Sequence, residues 1–256
     1  MSGILARILE SKRTEIADLR GRRWPDRYAP RQVNLKRTPE APLRLITEIK
    51  FRSPSAGALS THFGVAARAK AYATAGASML SVLCDAPFFG GSYHDLEIAR
   101  NSCDVPLLCK EFIIDESQLD AARAHGADWV LLIARCLSDE QATRLLAAAR
   151  DRGLGVLFEI HGRQEQALAH TIGAANIGIN ARDLDSLVMD LPTAQAVLAA
   201  VPAHVTAAHL SGLKTAADVE ELRHSRADAA LVGEILMRQD DPTALLREFV
   251  AAAQPS

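Results

Sequence analysis

The chain has 256 residues, of which 48% are hydrophobic and 23% are charged, and its net charge is -2 at pH 7. A length near 250 residues fits either one large α/β barrel or two small domains. The slightly negative charge argues against a nucleic-acid-binding protein, which is usually markedly basic. No apolar run of about 18 residues indicates a membrane-spanning helix.

The four cysteines indicate neither a metal site nor a disulfide framework. Cys84, Cys103, Cys109 and Cys136 lack the CxxC spacing of zinc sites, so we expect buried free thiols in a reducing compartment. Met1 leads into a short polar segment rather than the apolar core of a secretory signal. We therefore expect a cytoplasmic protein without a metal centre and without a membrane or nucleic-acid partner.

The first predicted element is an amphipathic helix near the amino terminus. Its apolar residues recur at near-helical spacing between charged positions, namely Ile4, Leu5, Ile8, Leu9 and Ile16. The basic stretch 20–42 contains four prolines and predicts an irregular segment that wraps the body of the protein. Its arginines are interpreted as a solvated face, with an anionic substrate as the alternative. We expect residues 1–42 to form an extension packed on a barrel of residues 43–256, in one domain.

From residue 43 onward, apolar strand-like runs alternate with alanine-rich helical segments. The predicted strands are 43–49, 79–83, 107–110, 129–133, 155–160, 176–179, 205–209 and 229–232. The predicted helices include 65–75, 116–125, 140–151, 164–171, 193–200 and 216–224. Eight parallel strands that each precede a helix bury both faces of their sheet by closing it. We therefore predict a single (β/α)8 TIM barrel.

Polar residues follow the predicted strands at their carboxyl ends, where active sites of this fold lie. They are Glu48 and Lys50 after the first strand, Lys110 after the third, Glu159 and His161 after the fifth, and Asn180 and Arg182 after the sixth. Glu48 and Lys50 are two residues apart on an extended chain and thus face the same side. We expect these groups to converge on one rim of the barrel.

Lys110 and Glu159 are the predicted acid–base pair. Partial desolvation is expected to lower the pKa of Lys110 and to suit it to proton donation near neutral pH. Burial is expected to raise the pKa of Glu159, which can then shuttle protons. Either residue alone fits a structural salt bridge, but their joint position at strand ends favours catalysis. His161 is either a second acid or base or a residue that faces the loop, and His209 is expected to face away from the rim.

Two glycines open the loops after the seventh and eighth strands. Gly212 and Gly233 stand where this fold usually binds phosphate, because backbone N–H groups there can approach an anion closely. Each glycine alone is also compatible with a simple turn. Their joint position predicts a phosphate site.

Several motifs in the correct order resemble indole-3-glycerol phosphate synthase. They are Glu-Ile-Lys-Phe-Arg-Ser-Pro-Ser at 48–55, Ser-Val-Leu-Cys-Asp-Ala-Pro-Phe-Phe-Gly-Gly-Ser at 81–92, Lys-Glu-Phe-Ile-Ile-Asp at 110–115, Asn-Ala-Arg-Asp-Leu at 180–184 and Val-Gly-Glu-Ile-Leu-Met-Arg at 232–238. The resemblance spans the predicted barrel and the amino-terminal helix. It implies a lyase of tryptophan biosynthesis that needs no cofactor. Its substrate would be a small phosphorylated arylamine, 1-(2-carboxyphenylamino)-1-deoxyribulose 5-phosphate, which loses carbon dioxide and water during ring closure.

The resemblance also implies roles for individual residues. Lys110 would be the general acid at the carbonyl group, and Glu159, Lys50 and Glu48 would move protons in the dehydration. Asn180 would hold a substrate hydroxyl and Arg182 the carboxylated ring. The phosphate would contact Lys50, Ser211, Gly212, Gly233 and the backbone of Glu234, while Phe89, Phe112, Leu131 and Leu184 would wall the aryl pocket and Ser53 would contact the substrate. We expect a monomer or a weak homo-oligomer.

Four positions depart from the family pattern. Cys109 stands where an arginine or similar residue usually precedes Lys110, and Ala56 stands where a lysine usually follows Ser-Pro-Ser. The other two are expected to change the charge of the rim. Leu210 stands where the family has a glutamate, and Phe51 stands where it has a basic residue. Both changes are expected to make the rim more apolar. We favour retained synthase chemistry, because the proton-transfer residues are all present. The alternatives are a divergent paralogue that acts on a modified aryl substrate in a specialised pathway, a sugar-phosphate isomerase, and a non-catalytic barrel.

Overall fold

Eight parallel strands close into a barrel with helices around it, as the sequence predicts. The computed structural model describes residues 3–38, 40–54, 57–60 and 62–255. The strands pair in chain order, and β1 closes the barrel against β8 through Arg44 to Thr47 and Ala229 to Val232. They are β1 (Arg44–Ile49), β2 (Met79–Leu83), β3 (Leu107–Lys110), β4 (Trp129–Ile133), β5 (Gly155–Ile160), β6 (Asn176–Ile179), β7 (Thr206–His209) and β8 (Ala229–Val232).

The strand period of two separates an inner layer from an outer layer. In β1, Ile46 packs in the inner hydrophobic cluster, whereas Leu45 and Ile49 pack in the cluster between strands and helices. The same alternation in β5 sends Leu157 inward and Phe158 outward. Side chains alternate between the inner and the outer face along each strand. A polar side chain that points inward near the carboxyl end of a strand therefore faces the carboxyl-terminal opening of the barrel.

The helices agree with the predicted ones to within two residues at each end. They are α1 (Ile4–Leu19), α2 (Val65–Ala75), α3 (Ala86–Phe89), α4 (Tyr93–Arg100), α5 (Glu116–Ala124), α6 (Asp139–Asp151), α7 (Arg163–Thr171), α8 (Leu191–Ala199), α9 (Ala216–Arg223), α10 (Glu234–Met237) and α11 (Thr243–Ala252). The prediction did not include α3, α4, α10 and α11, and α3 and α10 are single turns too short to show a period. None of the helices in the described part of the chain combines the length and the apolar character needed to cross a bilayer.

The amino-terminal helix α1 lies over the carboxyl-terminal end of the barrel. Leu5 and Ile8 are buried in the inner cluster together with Phe112, which follows β3. Gly3 approaches Asp185 in the loop after β6 so closely that a Cβ there would lie 2.5 Å from its carboxylate. The helix therefore covers the side of the opening between the β3 and β6 loops.

The segment 20–42 is irregular, as predicted, and its cations bind it to the barrel. Arg37 donates to the backbone oxygens of Arg223 and Ala227, and Lys36 lies 2.9 Å from Asp228. Leu35 is 1% exposed and joins the inner cluster. The prediction of a solvated face therefore does not describe Arg37, which is partly buried and donates to backbone carbonyl groups of the barrel, whereas Arg22 and Arg23 are exposed as predicted.

All four cysteines are free, as expected, and two of them are fully buried. Cys84 and Cys109 lie on neighbouring strand ends in the outer cluster, with their sulfur atoms 3.5 Å apart. Cys103 and Cys136 are partly buried. Among the residues that the structure describes, no group of three or more His, Cys, Asp or Glu side chains is arranged to hold a metal ion.

Candidate active site

A cleft of about 390 Å³ opens at the carboxyl ends of the barrel strands. It collects side chains from β1 to β5 and β8 and from the loops that follow the strands. The residues assigned from the sequence to catalysis or binding all line it: Glu48, Lys50, Ser53, Phe89, Lys110, Phe112, Leu131, Glu159, Asn180, Arg182, Leu184, Ser211, Gly212, Gly233 and Glu234.

Glu48 joins the two lysines of the cleft. Its carboxylate lies 2.6 Å from Lys50 Nζ and 3.1 Å from Lys110 Nζ, and its side chain is 3% exposed. Burial alone would raise the pKa of Glu48, but Lys110 and Lys50 lower it to about 2. Glu48 is therefore ionised at neutral pH and fixes the two ammonium groups beside each other.

Lys110 is more basic than expected from the sequence. Burial alone would lower its pKa, but the carboxylates of Glu48 and Glu159 raise it above the ordinary value for lysine. The prediction of a lowered pKa is wrong, because sequence reasoning counted the desolvation and omitted the ion pair across β1 and β3. Lys110 is thus a charged donor at neutral pH, held by a buried carboxylate.

Glu159 is the less acidic of the two carboxyl groups. It is 3% exposed, and burial raises its pKa above the ordinary value, as predicted, although Lys110 opposes the shift. Its Oε1 accepts a hydrogen bond of 2.9 Å from Asn180 Nδ2, whereas its Oε2 has no hydrogen-bond partner among the described residues. One oxygen is oriented and the other is available, which suits the group to accept and return a proton.

Asn180 is the centre of a hydrogen-bond network on β6 and the loop after β7. Its Oδ1 accepts from Ser211 Oγ at 2.8 Å and from the backbone N–H of Arg182 at 3.0 Å. The Arg182 guanidinium donates to the backbone oxygen of Leu187 at 3.1 Å, which fixes it at the edge of the cleft. The amide therefore links the proton-transfer group Glu159 to the loops that surround the cleft.

Neither candidate histidine faces the cleft. His161 Nδ1 lies 2.8 Å from the backbone oxygen of Asn180. The structure therefore favours the interpretation in which His161 faces the loop over the one in which it is a second acid or base. His209 is 5% exposed and lines a separate cavity between α8 and α9, as its alternation along β7 predicts. Burial lowers the pKa of His209. The acid–base groups of the cleft are thus lysines and carboxylates.

The two predicted glycines let a bound group approach the backbone closely at the end of the cleft that holds the lysines. Gly212 has a φ of 103°, in the left-handed region that favours glycine. A Cβ on Gly233 would lie 2.7 Å from Glu48 Oε2, so only glycine fits beside the ion pair. The loops after β7 and β8 therefore present bare backbone next to the lysine cluster.

Two cations at this end were missed by the sequence reasoning. Lys214 and Arg238 line the cleft beside the glycine loops. Arg238 also pairs with Glu234 at 2.8 Å across one turn of α10, which keeps the Glu234 carboxylate occupied. Both could have been predicted from their spacing to the glycines, because Lys214 stands two residues after Gly212 and Arg238 five residues after Gly233.

The opposite end of the cleft is apolar. The rings of Phe89 and Phe112 pack with their centroids 5.8 Å apart, and Leu131 and Leu184 complete the predicted wall. Leu187, Leu231 and Ile133 also line this cleft and were not predicted. A planar ring would be desolvated here while its charged substituents reached the lysine end.

The departures from the family pattern at Leu210 and Phe51 have different positions, whereas Ala56 lies outside the described residues. Leu210 is 3% exposed, lines the cleft and packs so closely on β6 that a Cβ on Gly178 would lie 2.5 Å from its Cδ1. Phe51 is not part of the cleft lining and packs in the layer between strands and helices. The expectation that both changes make the rim more apolar is therefore wrong for Phe51.

Replacement of Glu48 by glutamine is expected to destabilise the fold in a pH-dependent way. The folded-state pKa of Glu48 lies below the ordinary value of 4.5, so its contribution to stability is complete above that pH and is lost as the pH falls toward about 2. We expect the difference in free energy of unfolding between the parent chain and Glu48→Gln to shrink over this range, measured by urea denaturation. Glu10→Gln, which removes an exposed ion pair with Arg13, serves as the control with a small effect throughout. A Glu48 difference that stays constant with pH would contradict the ion-pair assignment.

The chain matches the family model "Indole-3-glycerol phosphate synthase" over residues 5–249. It is 40% identical over 242 residues to the indole-3-glycerol phosphate synthase of Exiguobacterium sibiricum, covering 93% of each chain. It is 40% identical over 260 residues to the enzyme of the same name from Polaromonas naphthalenivorans, covering 97% of this chain and 99% of the other. Among solved structures, a 3-hexulose-6-phosphate synthase superposes with a TM-score of 0.66 at 18% identity, covering 82% of this chain and 99% of the other. That last likeness concerns the fold alone.

Proposed function

The chain belongs to the indole-3-glycerol phosphate synthase family, and from this premise we propose which of its side chains carry each step of the reaction. The activity is that of a carboxy-lyase in tryptophan biosynthesis, which converts 1-(2-carboxyphenylamino)-1-deoxyribulose 5-phosphate to indole-3-glycerol phosphate. The observation that supports the assignment best is the single cleft in which Lys110, Glu159 and the two glycine loops meet.

Ring closure uses Lys110 as the general acid. The ring carbon that bears the carboxylate attacks the ketone carbon, and Lys110 protonates the ketone oxygen as the new carbon–carbon bond forms. Because Glu48 and Glu159 keep Lys110 charged, the proton is present when the substrate binds. The aryl nitrogen supplies the electron density for the attack, so the step needs no cofactor.

Decarboxylation and dehydration complete the reaction. Loss of carbon dioxide returns the electron pair of the broken bond to the ring. The hydroxyl formed from the ketone then leaves as water, which requires one proton at the oxygen and the removal of one proton from the adjacent carbon. We assign these transfers to Glu159, Lys50 and Glu48, since the Glu159 Oε2 has no partner among the described residues and Lys50 is linked to Glu48 at 2.6 Å.

Substrate binding is assigned to the two ends of the cleft. The phosphate binds at Ser211, Gly212, Gly233 and the backbone of Glu234, with Lys50 nearby and with Lys214 and Arg238 as further cations. The aryl ring binds against Phe89, Phe112, Leu131 and Leu184, and Ser53 is a further substrate contact in the cleft lining. Asn180 holds a hydroxyl of the sugar chain, and Arg182 pairs with the ring carboxylate.

The proposed function is tested by incubating the purified chain with the carboxyphenylamino substrate. Formation of the ring-closed product, followed by indole fluorescence, supports the synthase. A product of unchanged mass would indicate a sugar-phosphate isomerase on the same barrel. No turnover of this or any related phosphorylated arylamine would indicate a non-catalytic barrel.

A second candidate is a divergent synthase that acts on a modified, less polar aryl substrate. The observation that favours it is Leu210, which places an apolar side chain in the cleft lining beside Gly178 and Leu157. The ordinary synthase remains the better account, because the lysines and carboxylates of the cleft are all present. Comparison of the unsubstituted substrate with ring-substituted analogues separates the two.

Leu210→Glu is expected to raise kcat/KM for the unsubstituted substrate roughly tenfold, the effect of one added charge-assisted hydrogen bond. Val188→Glu, which adds a carboxylate at an exposed position outside the cleft lining, is the control for a nonspecific change of charge. A loss of activity on this substrate, with the parent chain preferring a ring-substituted analogue, would instead identify a retuned enzyme. Steady-state kinetics on both substrates gives the answer.

We further propose that the chain acts in the cytoplasm as a monomer or weak homo-oligomer, without a nucleic-acid or membrane partner. The free cysteines and the net charge of -2 support this setting. We also propose that the extension up to residue 42 and the barrel from residue 43 form one domain, since Leu5, Ile8 and Leu35 share the inner cluster of the barrel. Light scattering on a size-exclusion column tests the oligomeric state.

A further inference from the structure

We propose that Lys12 of α1 is a positioning residue for the aromatic wall of the cleft, acting through the buried carboxylates of Asp85 and Glu111. The inference rests on the proposed function only for the identity of the ring that this wall contacts. Lys12 does not line the cleft itself. It therefore acts on the substrate through other residues.

The ion cluster around Lys12 is almost completely buried. Lys12 Nζ lies 2.8 Å from Asp85 and 3.1 Å from Glu111, and the three side chains are 0%, 0% and 1% exposed. Glu15, one turn further along α1, approaches the same ammonium at 2.8 Å from a partly exposed position. A buried ammonium is costly unless it is fully paired, so this arrangement fixes α1 relative to the loops after β2 and β3.

Each buried carboxylate also holds the backbone of an aromatic residue in the wall. Asp85 accepts hydrogen bonds from the N–H groups of Phe88 and Phe89 at 2.8 and 3.1 Å and thereby caps α3. Glu111 accepts from the N–H of Phe112 at 2.6 Å. Phe89 and Phe112 are the two rings that pack against each other at the aryl end of the cleft. Lys12 thus joins the two carboxylates that set the positions of both rings.

The charge balance makes the ammonium necessary. Burial, opposed by Lys12 and assisted by Asp85, raises the pKa of Glu111 to about 7. Burial alone would lower the pKa of Lys12, but Glu111 and Asp85 raise it above its ordinary value. Without Lys12, burial and Asp85 would favour the protonated form of Glu111, and the ion pairs that hold α1 to both loops would be lost. The loops that carry Phe89 and Phe112 would then no longer be held in a fixed relative position.

The test is Lys12→Met, which keeps the length of the side chain and removes its charge. We expect KM for the carboxyphenylamino substrate to rise about tenfold while kcat changes less than about threefold, because a displaced wall weakens binding of the ring. The inhibition constant of 2-aminobenzoate is expected to rise with KM, whereas that of inorganic phosphate is expected to stay within about twofold of the parent value. Arg13→Met is the matched control, since Arg13 is the next residue on α1 and its exposed ion pair with Glu10 is remote from the wall.

A double-mutant cycle with Phe112→Ala separates positioning from general stability. If Lys12 acts through the wall, its effect on KM is largely absent in the Phe112→Ala background. Glu111→Gln keeps an oxygen for the Phe112 N–H and loses the paired charge, so it is expected to raise KM about threefold and decides the matter if Lys12→Met does not fold. A fall in thermal stability with unchanged KM in either variant, or fully additive effects in the cycle, would overturn the proposal. If the proposed function itself were wrong, the parent chain would show no turnover of the substrate, which distinguishes that outcome from a failure of this proposal.

Discussion

Lys110→Met is expected to lower kcat for ring closure by about 1000-fold, the middle of the range that a general acid typically contributes. The substitution removes the proton donor at the ketone and also leaves Glu48 with one lysine in place of two. KM is expected to change little, because the aryl wall and the glycine loops are intact. Stopped-flow fluorescence under single-turnover conditions measures the chemical step directly.

Lys70→Met is the matched control for this variant. Lys70 is an exposed residue of α2, so its substitution is expected to leave kcat and KM unchanged. A Lys110→Met enzyme with a kcat within threefold of the parent would remove the general-acid assignment. Circular dichroism of both variants shows whether the fold is preserved.

Glu159→Gln is expected to lower kcat about 100-fold and to change its dependence on pH. Because burial raises the pKa of Glu159 above its ordinary value of 4.5, kcat of the parent chain is expected to rise with pH as this carboxyl group ionises. Glutamine keeps the hydrogen bond to Asn180 but cannot accept a proton. This limb of the kcat profile is therefore expected to vanish in the variant.

Glu248→Gln on the exposed face of α11 is the control for the loss of a carboxylate elsewhere. It is expected to keep the kcat profile of the parent chain. If Glu159→Gln retained both the rate and the rising limb, the proton shuttle would have to be assigned to another group of the cleft.

The sequence predicted the barrel well because its signals are local. Six of the eight strands begin and end at the predicted residues, since short apolar runs are bounded by turn residues and followed by helical patterns. The first and seventh strands each begin one residue later, at Arg44 and Thr206. The alternation of side chains along each strand then predicted which residues near the strand ends line the cleft, because every second residue points inward.

The electrostatics could not be predicted in the same way, because they depend on residues far apart in the chain. Glu48 and Lys110 are 62 positions apart and meet only when β1 and β3 lie in one barrel. Their pairing reverses the expected pKa shift of Lys110. The ion pair of Lys12 with Glu111 spans 99 positions. The amphipathic pattern of α1 places Lys12 between Ile8 and Ile16 on the buried face, but it cannot identify the carboxylates that the ammonium contacts.

The position of Phe51 shows a further limit of reading motifs. In the sequence it directly follows Lys50, which lines the cleft, so a change of residue type there suggested a change at the site. The parity of the chain turns Phe51 to the opposite side, where it packs against the outer cluster. Of Leu210 and Phe51, the former alone therefore bears on the choice between an ordinary and a retuned synthase.

A crystal structure of the protein with bound indole-3-glycerol phosphate would test most directly whether one cleft holds the whole reaction. The phosphate is expected between the glycines at 212 and 233, and the indole ring against Phe89 and Phe112. Lys110 and Glu159 should then both lie within hydrogen-bond reach of the glycerol chain or the newly formed ring. A product bound elsewhere, or one that reaches the phosphate loops with both groups remote from it, would contradict the mechanism.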